Sequence, residues 1–206
     1  MNYNHIYQLS DNDSRDAFNA CGSNSNIEHE KLFKGEVKLD ILLNFRYNYG
    51  GEQYDLINTG FAGLYLFSDK VIKLLTDNKV KGWMTYPCML FDKLGKEILG
   101  YSFFAVIGRC GPIDWQKSEM YLKQYTPTGR PAETYKGLYF GLDTWDGSDI
   151  FSPEGTLYTF ISEDVKNILE SNEVSNISFE RITEIETLVP NKQMNIDPEI
   201  IKRLGW

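Results

Sequence analysis

The densest grouping of chemically capable side chains is the run Asp143, Thr144, Trp145, Asp146, Gly147, Ser148, Asp149. Three carboxylates and a glycine suggest an oxygen-ligand calcium loop, but the spacing is wrong. Counted from Asp143, position twelve is Glu154, yet position three is Trp145 and position five is Gly147, where an EF-hand loop needs oxygen donors. The same aspartates, with Asp114 and Glu119, could supply an acid and a base for glycoside cleavage, with Trp145 and Tyr139 as sugar platforms. That chemistry needs two carboxyl groups about 5–10 Å apart across an open groove. A turn in which the carboxylates accept backbone amides uses the same residues without any convergence. A further use is recognition: Asp143, Asp146 and Asp149 around Trp145 make an aromatic anchor with a charged rim, suited to a basic protein partner.

Cys110, between Arg109 and Gly111, sits where a guanidinium could activate a thiol. A cysteine nucleophile also needs a base, and His5 and His29, the only histidines, both lie near the amino end. Cys110 therefore reads as a small buried residue at a strand end. Cys21, Cys88 and Cys110 are odd in number and widely spaced, which fits reduced thiols better than a disulfide framework. Zinc would require a close-spaced ligand pair, and none exists. Phosphate-loop spacing and a serine nucleophile elbow are missing too. The expectation is a binding protein with no cofactor and no metal.

Charge narrows the partner. Twenty-one basic against 29 acidic side chains leave a net charge of −8, which disfavours nucleic acid and anionic membranes. The amino end is polar, with Asp11, Asp13 and Asp16 where an export signal would be basic and then apolar, so a cytoplasmic location is expected. No stretch approaches the roughly 20 apolar residues that cross a bilayer. With 42% hydrophobic and 14% aromatic residues the chain can offset the entropy of ordering and should fold.

The elements that must position these residues are an α+β mixture. Tyr3–Leu9 reads as a first strand, 12–26 as a loop, Val37–Phe45 as a strand and Glu97–Ile107 as another. Ile113–Tyr125 reads as a strand end or short helix, followed by a loop to Pro131. Ser68 caps a helix whose apolar face is Val71, Ile72, Leu74 and Leu75, with Asp69 at its positive end and Asn78 as a left-handed stop. A strand follows over Val80–Leu90, with Pro87 near an edge or end. Ser162, Val165, Leu169, Asn172 and Val174 repeat Ser68, Val71, Leu75, Asn78 and Val80 at one offset, 162 − 68 = 94. Two related helix-then-strand units in mixed sheets follow from that repeat, with a crossover inside each. Asp197, Pro198, Ile200, Ile201, Leu204 and Gly205 form the signature of a short closing helix. Residues 1–206 are read as one α+β domain, or as two related lobes of about 1–125 and 126–206.

The ordered motifs LFSDKVIKLLTDNKVKGW, then YP, then IDWQKS, then FISEDVKNILESNEVSNISFE resemble the immunity protein eleven family, over about Phe61 to Ile185. The resemblance implies a cytoplasmic protein of a polymorphic toxin system that binds and neutralises a cognate toxin. It assigns no catalytic residues. Asp143, Trp145, Asp146 and Asp149 are then the expected partner-binding residues, facing a toxin of basic character. The alternatives are a small carbohydrate hydrolase acting through paired carboxylates and a generic interaction domain.

Overall fold

The computed structural model describes residues 2–12, 14–22, 28–37, 42–60, 63–127 and 132–188. After a 3-10 turn at Tyr3–His5, the chain forms β1 (Ile6–Ser10), β2 (Asn19–Gly22), α1 (His29–Phe33), β3 (Leu43–Tyr49), β4 (Leu56–Asn58) and β5 (Tyr65–Ser68). Next come α2 (Asp69–Asp77), β6 (Trp83–Tyr86), β7 (Cys88–Phe91), β8 (Glu97–Ile98), β9 (Tyr101–Val106) and β10 (Gly108–Cys110). The remaining elements are β11 (Glu119–Lys123), β12 (Ala132–Lys136), β13 (Ile150–Pro153), β14 (Thr159–Ser162), α3 (Glu163–Ser171), β15 (Ser178–Arg181) and β16 (Glu186–Thr187). The expected closing helix and Trp206 lie outside the described residues, as does Asp13.

Both expected caps form. Ser68 and Ser162 each accept the amide three residues on, at 3.4 Å, and each satisfies one orphan donor of its helix. The helix stops differ from the sequence reading. Asn78 and Asn172 keep negative φ and donate their side-chain amides back to the carbonyls of Leu74 and Ile168, at 2.9 and 2.8 Å. The left-handed position falls one residue later, at Lys79 (φ 54°) and Glu173 (φ 50°). Val80 and Val174 then donate back to the carbonyls of Leu75 and Leu169, closing both ends alike.

The repeat extends beyond the helices into the sheets. The larger sheet runs β6-β9-β5-β4-β2-β3-β7-β8 and the second runs β10-β13-β14-β1-β15. Leu56 pairs with Phe67 across β4 and β5, and Ile150 with Ile161 across β13 and β14, the same register shifted by 94 (150 − 56 and 161 − 67). β2 runs parallel to β4 as β10 does to β13. The place that β9 takes between β5 and β6 is filled between β14 and β15 by β1, from the opposite end of the sequence. The sheet that carries α3 thus draws strands from both ends of the described chain.

Within the larger sheet, β6 and β7 are separated by Pro87 alone yet stand six places apart in the strand order, so the sheet curls until β7 approaches β9. The strand expected over Val80–Leu90 is therefore two strands turned at a proline, which cannot donate to a ladder. The loop expected over 12–26 contains β2, and the segment Ile113–Tyr125 contains β11. A small third sheet, β11-β12-β16, stands apart from both.

One core unites the two units: α2 packs on α3, and Val71, Leu75, Val165 and Leu169 join Phe67, Phe103, Phe104 and Ile161. A second cluster, including Ile6, Phe140, Phe151, Phe160 and Ile182, fills the opposite face of the five-stranded sheet. The units also clasp each other by reciprocal carboxylate-to-amide bonds. Asp55 accepts the Ser175 amide at 2.9 Å, and its counterpart Asp149 accepts the Lys81 amide at 2.8 Å (149 − 55 = 175 − 81 = 94). Gly82 follows Lys81 with φ 97°, and a Cβ there would stand 1.9 Å from the carbonyl oxygen of Ile150, so both conformation and space call for glycine. Its counterpart Asn176, also at positive φ, donates instead to the carbonyl of Leu56 at 2.8 Å.

Asp55 also accepts the Ser68 and Ser175 hydroxyls at 2.7 and 3.0 Å and the Lys70 ammonium at 3.1 Å. Burial alone would push its carboxyl up, but these donors and the Ser175 amide outweigh burial and hold it below the ordinary 3.8. Its stabilisation is therefore complete above that value and is lost as pH falls below it. Asp55→Ala should cost about 1–3 kcal/mol in urea titrations at neutral pH and flatten the acid limb of the stability profile. Asp149→Ala, losing fewer bonds, should cost less.

Candidate functional site

The acidic run expected to carry recognition leaves a 3-10 turn at Leu142–Thr144 and enters β13. Thr144 locks the turn: its hydroxyl donates to the Gly141 carbonyl at 2.6 Å and accepts the Gly111 amide at 2.8 Å. Asp146 accepts the amides of Arg109 and Ser148 at 2.7 and 2.9 Å, and its own amide donates to the Arg109 carbonyl at 3.1 Å. Trp145 is half-buried, with its ring centroid 5.7 Å from that of Phe151 and its indole N–H donating to the Ser148 carbonyl at 3.0 Å. The four residues singled out from sequence thus occupy one short, rigid loop, but with separate duties. Asp146 and Asp149 hold backbone amides, Trp145 plugs the second core cluster, and Asp143 is exposed, as is Asp146.

Beside the loop, the Lys117 ammonium lies 3.2 Å from Asp114, and Asp143 adds to the field that raises its pKa. Arg109 does not face Cys110 as an activator. Its guanidinium donates to the carbonyls of Val106, Gly108 and Lys34 at 2.6, 2.8 and 2.9 Å, tying the end of α1 to the strand. Burial pushes the Cys110 thiol up to about 12, Asp146 adds to the rise, and Arg109 only partly opposes it. Such a thiol is protonated and inert at neutral pH. Among the described residues no three His, Cys, Asp or Glu side chains converge on a possible metal position.

Two features escaped the sequence reading. On β11 the side chains of Met120 and Leu122 are exposed, forming an apolar edge on the small sheet. A cavity of about 480 Å³ opens where β1 and β14 meet β2, β3, β4 and β5, lined by Asp11, Asn19, Asn48 and Asn58 among others. Scattered asparagines carry no spacing signal, and only the pairing of strands from both ends of the chain brings them together.

Residues 22–184 match the profile of the Immunity protein family (Imm11). The chain belongs to this family. The match takes in α2, α3, both clasp carboxylates and the 143–149 loop, whereas β1 and most of β2 precede it. Membership implies an immunity role and, in general terms, a protein partner. No curated protein matches the chain.

The thiols of this immunity protein provide a direct check on the site. At mildly alkaline pH the exposed Cys21 should react at once with an aromatic disulfide reagent. Cys110 should react only as fast as the protein unfolds, with Cys88, pushed up to about 11 by burial, also slow. Rapid titration of all three thiols in the folded protein would contradict the packing described for β10.

Proposed function

We propose that this immunity protein neutralises a toxin by direct binding, in the cytoplasm, and that the toxin seats on the loop carrying Asp143, Trp145, Asp146 and Asp149. Family membership supports the immunity role, and the rigidity of the loop supports the choice of surface. Its hydrogen bonds are made before any partner arrives, so little ordering entropy remains to oppose association. Asp143 supplies the contacting charge and the uncovered part of Trp145 the anchor, while Asp146 and Asp149 hold the backbone that presents them. A net charge of −8 favours a toxin of basic character and would speed its encounter. Three free thiols fit a reducing compartment.

The test pairs growth rescue with affinity measurement, using the toxin of the same system. Asp143→Lys should weaken binding about tenfold or more and slow association, most clearly at low salt. A matched reversal outside the loop, at the exposed Glu97 on the edge strand β8 (Glu97→Lys), should change affinity little. Unchanged affinity and full rescue with a folded Asp143→Lys protein would move the interface elsewhere. A toxin that shows no complex with the wild-type chain would end the direct-binding reading.

A further inference from the structure

The small sheet β11-β12-β16 ends on β11, which has β12 on one side and, among the described residues, no strand on the other. Of the described edge strands it is the longest, with five residues against four in β6 and β15. An edge strand offers half of its backbone N–H and C=O groups to whatever lies beside it.

The side chains of β11 divide by face. Met120 and Leu122 point one way and are 53% and 67% exposed, although Met120 lies opposite Tyr135, which is buried with its ring against that of Trp115. Glu119, Tyr121 and Lys123 share the other face, where Lys123 pairs with Glu186 and keeps 41% of its side chain exposed. An ammonium has three donors, so one carboxylate does not exhaust it. The run Glu-Met-Tyr-Leu-Lys is thus symmetric about Tyr121 in its apolar residues and opposite in sign at its two ends.

That sign difference selects the partner. Laid antiparallel against a second copy about Tyr121, Glu119 faces Lys123, Met120 faces Leu122 and Tyr121 faces its own counterpart. Parallel pairing in register would set Glu119 on Glu119 and Lys123 on Lys123. A slip of the antiparallel register by two residues either way removes both opposite-charge pairs. Opposite charges directly across a sheet stabilise it, and like charges oppose it. A two-fold axis normal to the sheet also keeps the two apolar pairs on one face, where they form a continuous stripe.

We propose that β11 is the interface of a homodimer, in which two copies of the three-stranded sheet join antiparallel across a two-fold axis at Tyr121 into one six-stranded sheet. Each contact then occurs twice, as an interface that closes on itself requires. Five residues a side fall short of what tight dimers bury, so a Kd on the order of 10–500 µM is expected. The interface includes no residue of the loop at 143–149 and does not rest on the toxin reading.

Sedimentation of the full chain alone, at low salt and from about 10 µM to about 1 mM, tests the interface. A reversible monomer–dimer equilibrium is expected. Glu119→Lys sets Lys against Lys and Lys123→Glu sets Glu against Glu, so each variant alone should associate about tenfold or more weakly. Mixed in equal amounts, the two should form a heterodimer in which both opposite-charge pairs are restored. Leu122→Asp, at a side chain too exposed to support the core, should also weaken association about tenfold or more, and it carries the test if Lys123→Glu does not fold. A chain that stays monomeric throughout would overturn the interface, whatever else covers β11. So would a dimer that Leu122→Asp leaves intact, or two folded charge variants that do not associate on mixing.

Discussion

Everything in this fold hangs on the paired clasp by which each half of the repeat accepts a backbone amide from the other. Asp55 receives Ser175 and Asp149 receives Lys81, and each carboxylate stands just before a strand, β4 or β13. The donating amides follow the helix ends, after Val80 and Val174, so the bond fixes where each chain returns to its sheet. Because the bonds are reciprocal, neither half can shift without breaking both. The apolar face shared by α2 and α3 supplies most of the burial, but burial is non-directional and would tolerate sliding. The charged hydrogen bonds set the register.

The halves have diverged where function is proposed. Asp55 sits in a dense polar knot with Ser68, Lys70 and Ser175, whereas Asp149 closes a rigid loop that ends at the exposed Asp143. Tyr65 and its smaller counterpart Thr159 both line the cavity, which collects side-chain amides from β2, β3 and β4. One clasp is therefore mainly structural, and the other doubles as the support of a surface. The N-terminal β1 is essential to this division, because it completes the second sheet and also carries the chain to Asp11 at the cavity wall.

Local signals were legible in the sequence where they are repeated and short-ranged. Serine caps, apolar spacing and the 94-residue offset disclosed both helices and the kinship of the halves. The left-handed residue was misplaced by one position, since Asn78 and Asn172 serve as side-chain donors and the strain passes to Lys79 and Glu173. Short strands such as β2, β4 and β10 gave little pattern, because three or four residues cannot display a period. The alternation in β1 marks it as a strand, but nothing local marks its neighbours β14 and β15, which pair with it from some 150 to 170 residues away. The acidic loop was visible as composition. That Asp146 and Asp149 would face backbone amides while Asp143 faces outward depends on Arg109 and Lys81, which no local spacing connects to them.

The most direct test of the account is amide hydrogen exchange of the immunity protein alone and in complex with the toxin of its own system. The account predicts that the Lys81 and Ser175 amides exchange together, only through global unfolding, and that toxin slows exchange chiefly over residues 142–149 and their neighbours. A complex that leaves that segment unchanged and protects another face would contradict it. So would independent opening of the two clasp amides in the free protein.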